Sequence, residues 1–419
     1  MKIGAVIAEY NPFHKGHLYQ IEEMKELGAD AIIVLLSGDF TQRGIPALLD
    51  KHTRAKLCLE NGADLVLELP VYYATGSAEY FARGAVSILE QLGCVDFLHF
   101  GSESGNLSAL QTCAHIFLTE PTSFKEQLTI FLKQGYSFPK ARSMALSTYM
   151  NINSETDKEE KNTLESLCSQ PNNILAIEYL KELERCQSSI QPITIARKGS
   201  GYSEAALPKS SENSFASANA IRSALENHQF STLSAFVPEN VADCLSKSSN
   251  VPMLFENDFS GVLLYKLMAE ASGFDCYYDV SKQLSDIIQK NLFSYTDWKD
   301  FALSCKSKEL TYTRINRSLL HILLNMKQDT MEQLKSAPDA LYARVLGFSA
   351  NTSVLKVIKK NASIPLITKL ANASKTLSQN ALCSLGADIH AANIYQSVKA
   401  QKYHTTPANE YRIPIVSPR

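Results

Sequence analysis

No uninterrupted apolar run in this 419-residue chain approaches the ~18–20 residues that a membrane-spanning helix requires. The opening residues, MKIGAVIAEYNPFHKGH, hold only a short apolar stretch that turns polar at Glu9. They lack the longer apolar core and small-residue cleavage site of a secretory leader, and read as the buried first strand of a cytoplasmic protein. Cysteine occurs nine times but never as a CxxC pair. An odd, dispersed set argues against a disulfide framework and against a Cys-rich zinc centre, and no protein-held metal is expected. There is no internal repeat, no low-complexity segment and no convincing nucleophile constellation. With 45% hydrophobic and 20% charged residues, the chain is neither disordered nor fibrous.

What the chain does have is a charge division. Residues 301–419 carry 16 Lys+Arg against 6 Asp+Glu, a net of +10, whereas the first 300 carry 25 against 37, a net of −12. A formal net charge of −2 therefore hides an acidic front and a basic tail end. Asymmetry of this size points to an anionic partner for the basic part, nucleic acid first among the candidates.

The first hundred residues alternate short runs rich in β-branched residues (2–10, 31–37, 64–70, 95–101) with amphipathic stretches (17–28, 51–61, 77–92). This order predicts an α/β fold, a Rossmann-like doubly wound parallel sheet with right-handed crossovers. Ligands in such sheets sit at the carboxyl ends of the strands. The unusual residues fall there: Asn11–His17, Ser37–Gly44 and Gly101–Glu103. A fifth strand is expected at 190–197, a Gly/Ser-rich loop at 199–214 and a helix from about Ala218. Helical patterns dominate beyond about 250, notably 314–326 and 352–360. At about 100–200 residues per domain the length suits two or three domains. The expected division is a nucleotide-binding catalytic domain, 1–245, and a basic, mostly helical domain, 246–419.

The sharpest motif is His14-Lys15-Gly16-His17, after the first strand and at the start of the first helix. Gly16 allows a backbone to approach a phosphate, and a helix N-terminus adds partial positive charge. Two imidazoles at this spacing can donate hydrogen bonds to a polyphosphate as charge builds on it. Asn11-Pro12-Phe13 fixes the entry turn.

This HxGH arrangement resembles the signature of the nucleotidyltransferase superfamily, which class I aminoacyl-tRNA synthetases share. The longer strings IAEYNPFHKGHLYQ (7–20), SGDFTQRG (37–44), GADLVLELP (62–70) and FGSESGN (100–106) are similar to one narrower family, the bacterial tRNA(Met) cytidine acetate ligases. QPNNILAIEYL (170–180), RKGSGY (197–202), ASANAIR (216–222), YTRINRSLLHILL (312–324) and RVLGF (344–348) extend the resemblance over most of the chain.

The resemblance implies an ATP-dependent ligase. Acetate and ATP would give acetyl-adenylate and pyrophosphate, with Mg²⁺ assisting. The acetyl group would then pass to the wobble cytidine of elongator tRNA(Met), giving N4-acetylcytidine. No obligate protein partner and no membrane are implied. His14 and His17 become the catalytic residues. The family's ATP site maps onto Ile7, Ala8, Glu9, Tyr10, Asn11, Pro12, Phe13, His14, Lys15, Gly16, His17, Leu18, Tyr19 and Gln20, with Gly101, Asn172 and Arg197. Ser217 and Arg222 lie in a segment resembling the superfamily's second signature, although Ala or Asn replaces one of its hydroxyls here. In these roles Gly101 offers bare backbone to a nucleoside, Asn172 an amide to adenine or ribose, and Arg197 a guanidinium to a phosphate.

Arg43, Arg314, Arg317, Arg344, Lys356, Lys359 and Lys360 are the expected tRNA contacts, Arg314 and Arg317 sharing a helix side at a spacing of three. Glu9 either orients His17 or Lys15 or caps the turn. His52, His99, His115 and His321 read as structural or surface residues, and the tyrosines at 72–73 and 277–278 as packing. The alternative reading is a small-molecule adenylyl- or cytidylyltransferase acting on a phosphorylated cofactor precursor. The basic tail region weighs against it.

Overall fold

A run such as AIIVLLS buries both of its faces only inside a sheet covered on both sides by helices. The computed structural model describes residues 1–153, 167–197, 215–246, 251–270, 273–307 and 309–418. It contains a seven-stranded sheet in the order β5-β4-β1-β2-β3-β6-β7. β1 (Ile3–Ala8) lies between β2 (Ala31–Ser37) and β4 (Phe97–Ser102), with β3 (Leu65–Leu69) beyond β2 and β5 (Gln191–Ala196) beyond β4. All four of these pairings are parallel. The five strands fall on the five predicted runs.

Side chains alternate between the two faces. Ile3, Ala5, Ile33, Leu35, Leu65 and Leu67 pack with the helix Ala78–Gln91. Val6, Ile32, Val34, Leu36 and Val66 pack on the other face with the helices Lys15–Glu26 and Lys51–Glu60. Strand order reverses between β1 and β4, and a crevice opens at their carboxyl ends. The Gly/Ser-rich loop 199–214 and most of the charged loop 151–163 lie outside the described residues.

The later helices gather around Trp298, the chain's single tryptophan, which is fully buried. Its indole N–H donates to Asn316 Oδ1 at 2.9 Å. Phe40, Val71 and Tyr72 from the front half fill the same core. The expected boundary at 245/246 therefore needs correction. Residues 343–348 return as β6 (Ala343–Phe348), antiparallel to β3, and β7 (Leu366–Ile367) follows beside it. The C-terminal half completes the front sheet and does not stand apart from it.

Arg344 is the second correction. It lies in β6, 5% exposed, where RNA cannot reach it. Its guanidinium stands 2.7 Å from Glu68 Oε2 and 2.6 Å from Glu410 Oε1. Lys51, equally buried, places Nζ 2.8 Å from Glu68 Oε1 and 2.8 Å from Glu410 Oε1. Burial alone would raise both carboxyls, but the two cations outweigh it. Glu68 is held below the ordinary carboxylate range, and Glu410, which also bonds His52, further below.

Removing one member of such a cluster strands its partners in a low-dielectric interior, at a cost of about 3–5 kcal/mol. We expect Glu410→Ala to lose stability in that range, read as a lower urea midpoint. Tyr411→Ala next door, 58% exposed, should change it by no more than about 0.5 kcal/mol. Equal effects of the two substitutions would show that the cluster does not hold the C-terminal return.

Candidate active site

β1 ends at Ala8, and the chain turns through Tyr10 in the left-handed region (φ 45°) and a cis Asn11-Pro12 bond into the first helix. His14 is the N-cap of that helix. Its Nδ1 accepts the Gly16 N–H at 3.1 Å, and the Nδ1 of His17 accepts the His14 N–H at 3.2 Å. This is a capping box in which two imidazoles take the places more often held by Ser and Glu. The rings stack with centroids 3.5 Å apart. A Cβ at Gly16 would stand 3.0 Å from His14 Cε1, so glycine makes room for the capping ring.

Both imidazoles line the cleft, but His14 is only 3% exposed and helps to build the turn. With each Nδ1 accepting, a neutral ring carries its proton on Nε2, on the edge away from the turn. Burial, and after it the charge of Arg197, pushes His14 down to about 3. Burial, His14 and Arg197 together hold His17 well below the ordinary imidazole range. The site thus presents two neutral N–H donors at a helix N-terminus.

A cavity of about 210 Å³ opens over this motif. Of residues 7–20, Ile7, Ala8, Glu9, Tyr10, Asn11, His14, Gly16, His17, Tyr19 and Gln20 line it. Pro12, Phe13, Lys15 and Leu18 do not. Phe13 is packed in the core, and Lys15 turns away to donate to Ala235 O at 2.8 Å. Glu9 orients neither His17 nor Lys15. It accepts the Gln42 N–H at 2.7 Å and so caps the loop after β2, a role that neither expectation named. Burial raises its carboxyl against the opposing pull of Arg43, Arg54 and Arg222.

Gly101, Asn172, Arg197, Ser217, Arg222 and Arg43 all reach the cleft. Arg197 donates to Asn172 Oδ1 at 2.9 Å, and its stem crosses the space that a Cβ on Gly101 would need. Ser217 caps the helix Ala218–Glu226 by accepting the Ala220 N–H at 3.1 Å. Arg222 is committed to Glu256 at 3.0 Å and Asn11 Oδ1 at 3.0 Å. Arg43 donates to Asn219 at 2.8 Å.

Sequence reasoning missed Glu103, which holds Asn172, and the apolar wall of Phe81, Phe100, Leu175, Tyr179 and Ile195. Glu103 was marked only by its place just beyond β4. The wall residues read as ordinary core. Among the described residues no three metal-ligating side chains stand together, and Glu9 is the one carboxylate lining the cleft. These residues do not fit a protein-held Mg²⁺.

Arg314 and Arg317 lie on the helix Tyr312–Leu323 and both pair with Asp279, at 3.6 and 3.3 Å. Lys356, Lys359 and Lys360 are exposed on the helix Val354–Asn361, but at the wrong end of the sheet. The chain on either side of that helix is tied through Ser349 to Asp64 and through Ser363 to Gln91, residues that precede β3 and β4, whereas the cleft lies where the strands finish. His99 and His321 are internal, the first bonded to Gln20 and the second to Tyr278 O and Thr75 O.

The buried imidazoles give a testable signature. His14 is held near 3, and His99 and His321, chiefly by burial, near 4, against 6.5 for a free ring. Below about pH 6.5 the unfolded chain binds protons that these rings refuse, so each of them subtracts stability as pH falls toward 4. Their Cε1–H resonances should stay neutral in an NMR titration down to about pH 5. A phosphate ligand should raise the midpoints of His14 and His17 and leave His321 unmoved. A free midpoint near 6.5 for His14 would contradict the capping geometry.

Residues 1–410 match the family model described as HIGH Nucleotidyl Transferase. The tRNA(Met) cytidine acetate ligase of Clostridium perfringens is 40% identical over 399 residues, covering 94% of this chain and 95% of the relative. The ligase of the same name from Clostridium acetobutylicum is 36% identical over 419 residues, covering 99% and 100%. Among solved structures, apo Thermotoga maritima TmcAL superposes with a TM-score of 0.89 at 31% identity, covering 99% of this chain and 97% of that one. The same protein bound with alpha-thio ATP gives 0.86. With the HxGH turn, the crevice between β1 and β4 and the whole-chain matches in agreement, this chain belongs to the HIGH nucleotidyl transferases and, within them, to the tRNA(Met) cytidine acetate ligase family.

Proposed function

We propose that this protein condenses acetate with ATP to acetyl-adenylate and passes the acetyl group to the wobble cytidine of elongator tRNA(Met). The observation that carries this reading is the stacked pair His14 and His17, two neutral donors fused to a helix N-terminus and faced by Arg197. An acetate oxygen attacks the α-phosphorus in line and pyrophosphate leaves. The two Nε2–H groups and Arg197 meet the charge that grows on the phosphate oxygens. Mg²⁺ belongs to the substrate here, arriving on the phosphates of ATP, and no step is assigned to a protein-bound ion. In the second half-reaction the cytidine amine attacks the carbonyl of the mixed anhydride. AMP departs, the amine gives up one proton, and an amide forms. The amine's lone pair is delocalised into its ring, so it needs an acyl donor this reactive.

A route for the tRNA is supported by one close contact. Gly44, two residues from Gln42 in the loop that carries Arg43 into the cleft, has φ +74°, and a Cβ on it would stand 2.2 Å from Arg317 N. The helix bearing Arg314 and Arg317 is thus packed directly against the cleft loop. Arg43, Arg314 and Arg317 form the phosphate-facing surface in this reading. Arg344 has no part in it because it is buried, and Lys356, Lys359 and Lys360 have none because they lie at the opposite end of the sheet.

Two outcomes are expected. His14→Asn keeps an N-cap acceptor and should slow acetate-dependent ATP–pyrophosphate exchange by about 10²–10³-fold, as should His17→Ala. His14→Ala should in addition lose about 0.5–2 kcal/mol of stability. Exchange within a few-fold of the native rate would remove the phosphate role. Second, Arg314→Glu combined with Arg317→Glu should weaken tRNA binding and flatten its salt dependence, with pyrophosphate exchange nearly intact. Equal affinity at two salt concentrations for both proteins would mean that tRNA docks elsewhere.

A further inference from the structure

Glu103 follows directly on β4, at the point where strand order reverses. Its carboxylate receives three N–H groups from one short segment. Oε1 accepts the Asn172 backbone N–H at 3.1 Å and Asn172 Nδ2 at 2.6 Å, and Oε2 accepts the Asn173 backbone N–H at 2.7 Å. Gln170, the N-cap residue of the helix Pro171–Arg185, caps none of its backbone N–H groups with its side chain, which accepts from Asn173 Nδ2 at 2.8 Å instead. Glu103 therefore caps this helix from another part of the chain and places a negative charge where a helix N-terminus favours one.

The third bond has a chemical consequence. An ionised carboxylate only accepts, so the Asn172 amide must turn its NH₂ toward Glu103. Its carbonyl oxygen is then left on the far side, where Arg197 donates to it at 2.9 Å. A guanidinium only donates, so a flipped amide would lose both bonds at once. Two more contacts confine Arg197. Its backbone N–H donates to Ser102 O at 2.9 Å, and its stem lies against Gly101, where a Cβ would stand 3.3 Å from Cγ. Arg197 lines the cleft, and its charge reaches both His14 and His17.

We propose that Glu103 is a positioning residue that fixes the Asn172 amide and through it aims Arg197 at the phosphates of the bound nucleotide. Asn172 accordingly serves as the link between a carboxylate and a guanidinium more than as a reader of adenine. The proposal rests on the reading of this cleft as the ATP site. It assigns the work of holding Arg197 to a residue outside the HxGH turn. Phosphate recognition here depends on the chain Glu103–Asn172–Arg197 being complete, since Arg197 is exposed and the Asn172 carbonyl narrows the rotamers open to a long cation.

The test is a double-mutant cycle on nucleotide affinity, measured calorimetrically with a non-hydrolysable ATP analogue and the full chain. Arg197→Ala should weaken binding by about 10–100-fold, the range for losing a charge-assisted contact. Glu103→Ala should weaken it by about 5–10-fold on its own and by less than about twofold in the Arg197→Ala background, because its effect passes through Arg197. Since Glu103 also caps a helix, Asn172→Ala gives a second cycle. It leaves both backbone N–H bonds to Glu103 in place while cutting the link, and it too should lose its effect once Arg197 is gone. Equal losses in both backgrounds, for Glu103→Ala and for Asn172→Ala, would overturn the positioning role. A native chain that does not bind the analogue at all would overturn the ATP reading itself, and this proposal with it.

Discussion

Four charged side chains, Lys51, Glu68, Arg344 and Glu410, meet where water does not reach. Withdrawing any one of them from solvent is unfavourable by several kcal/mol, and only close pairing offsets that penalty. Two of the four come from the first seventy residues and two from the last eighty. Neither half has a satisfactory interior without the other. The front sheet would leave Glu68 beside a single cation, and the C-terminal half would leave Arg344 beside Glu410 alone, without Glu68. The ends of the chain are thus obliged to fold as one body. The loop after β2, hung between Asp39 and Lys51, takes its place from that union.

The strands were legible because the sheet demands a strong local signal. β1 to β5 are short, largely apolar runs separated by amphipathic helices, and each was placed within a residue or two. β6 was not. RVLGF is only a few residues long, it stands in a region of helical periodicity, and its Arg344 read as surface. What buried that arginine was a glutamate more than 270 residues earlier, and no local pattern records such a partner. Lys15 was misread for a similar reason, since the carbonyl it serves belongs to Ala235. The HxGH turn was legible in place and chemistry. Its capping geometry was not, because imidazole seldom takes the part of Ser or Glu.

Electrostatics in the cleft follow from burial more than from net charge. The front half is acidic, yet among the described residues the walls of the cleft carry one carboxylate against the guanidinium groups of Arg43, Arg197 and Arg222. The positive field is local and fixed by hydrogen bonds. The histidines are kept neutral, so they add donors without adding charge that the bare site would have to accommodate.

The double duty of His14 also constrains how this sequence can drift. A residue that caps a helix and also faces the reacting phosphate cannot be lost in two independent steps. A descendant that abandoned the chemistry would keep its first helix only by placing another short acceptor at position 14, such as Asn, Asp or Ser. Gly16 would then be released, because the ring it makes room for would be gone. Among diverged copies of such a chain, the loss of catalysis would therefore be written at two positions together, a polar cap at 14 and a side chain at 16, while the strand before them remained unchanged.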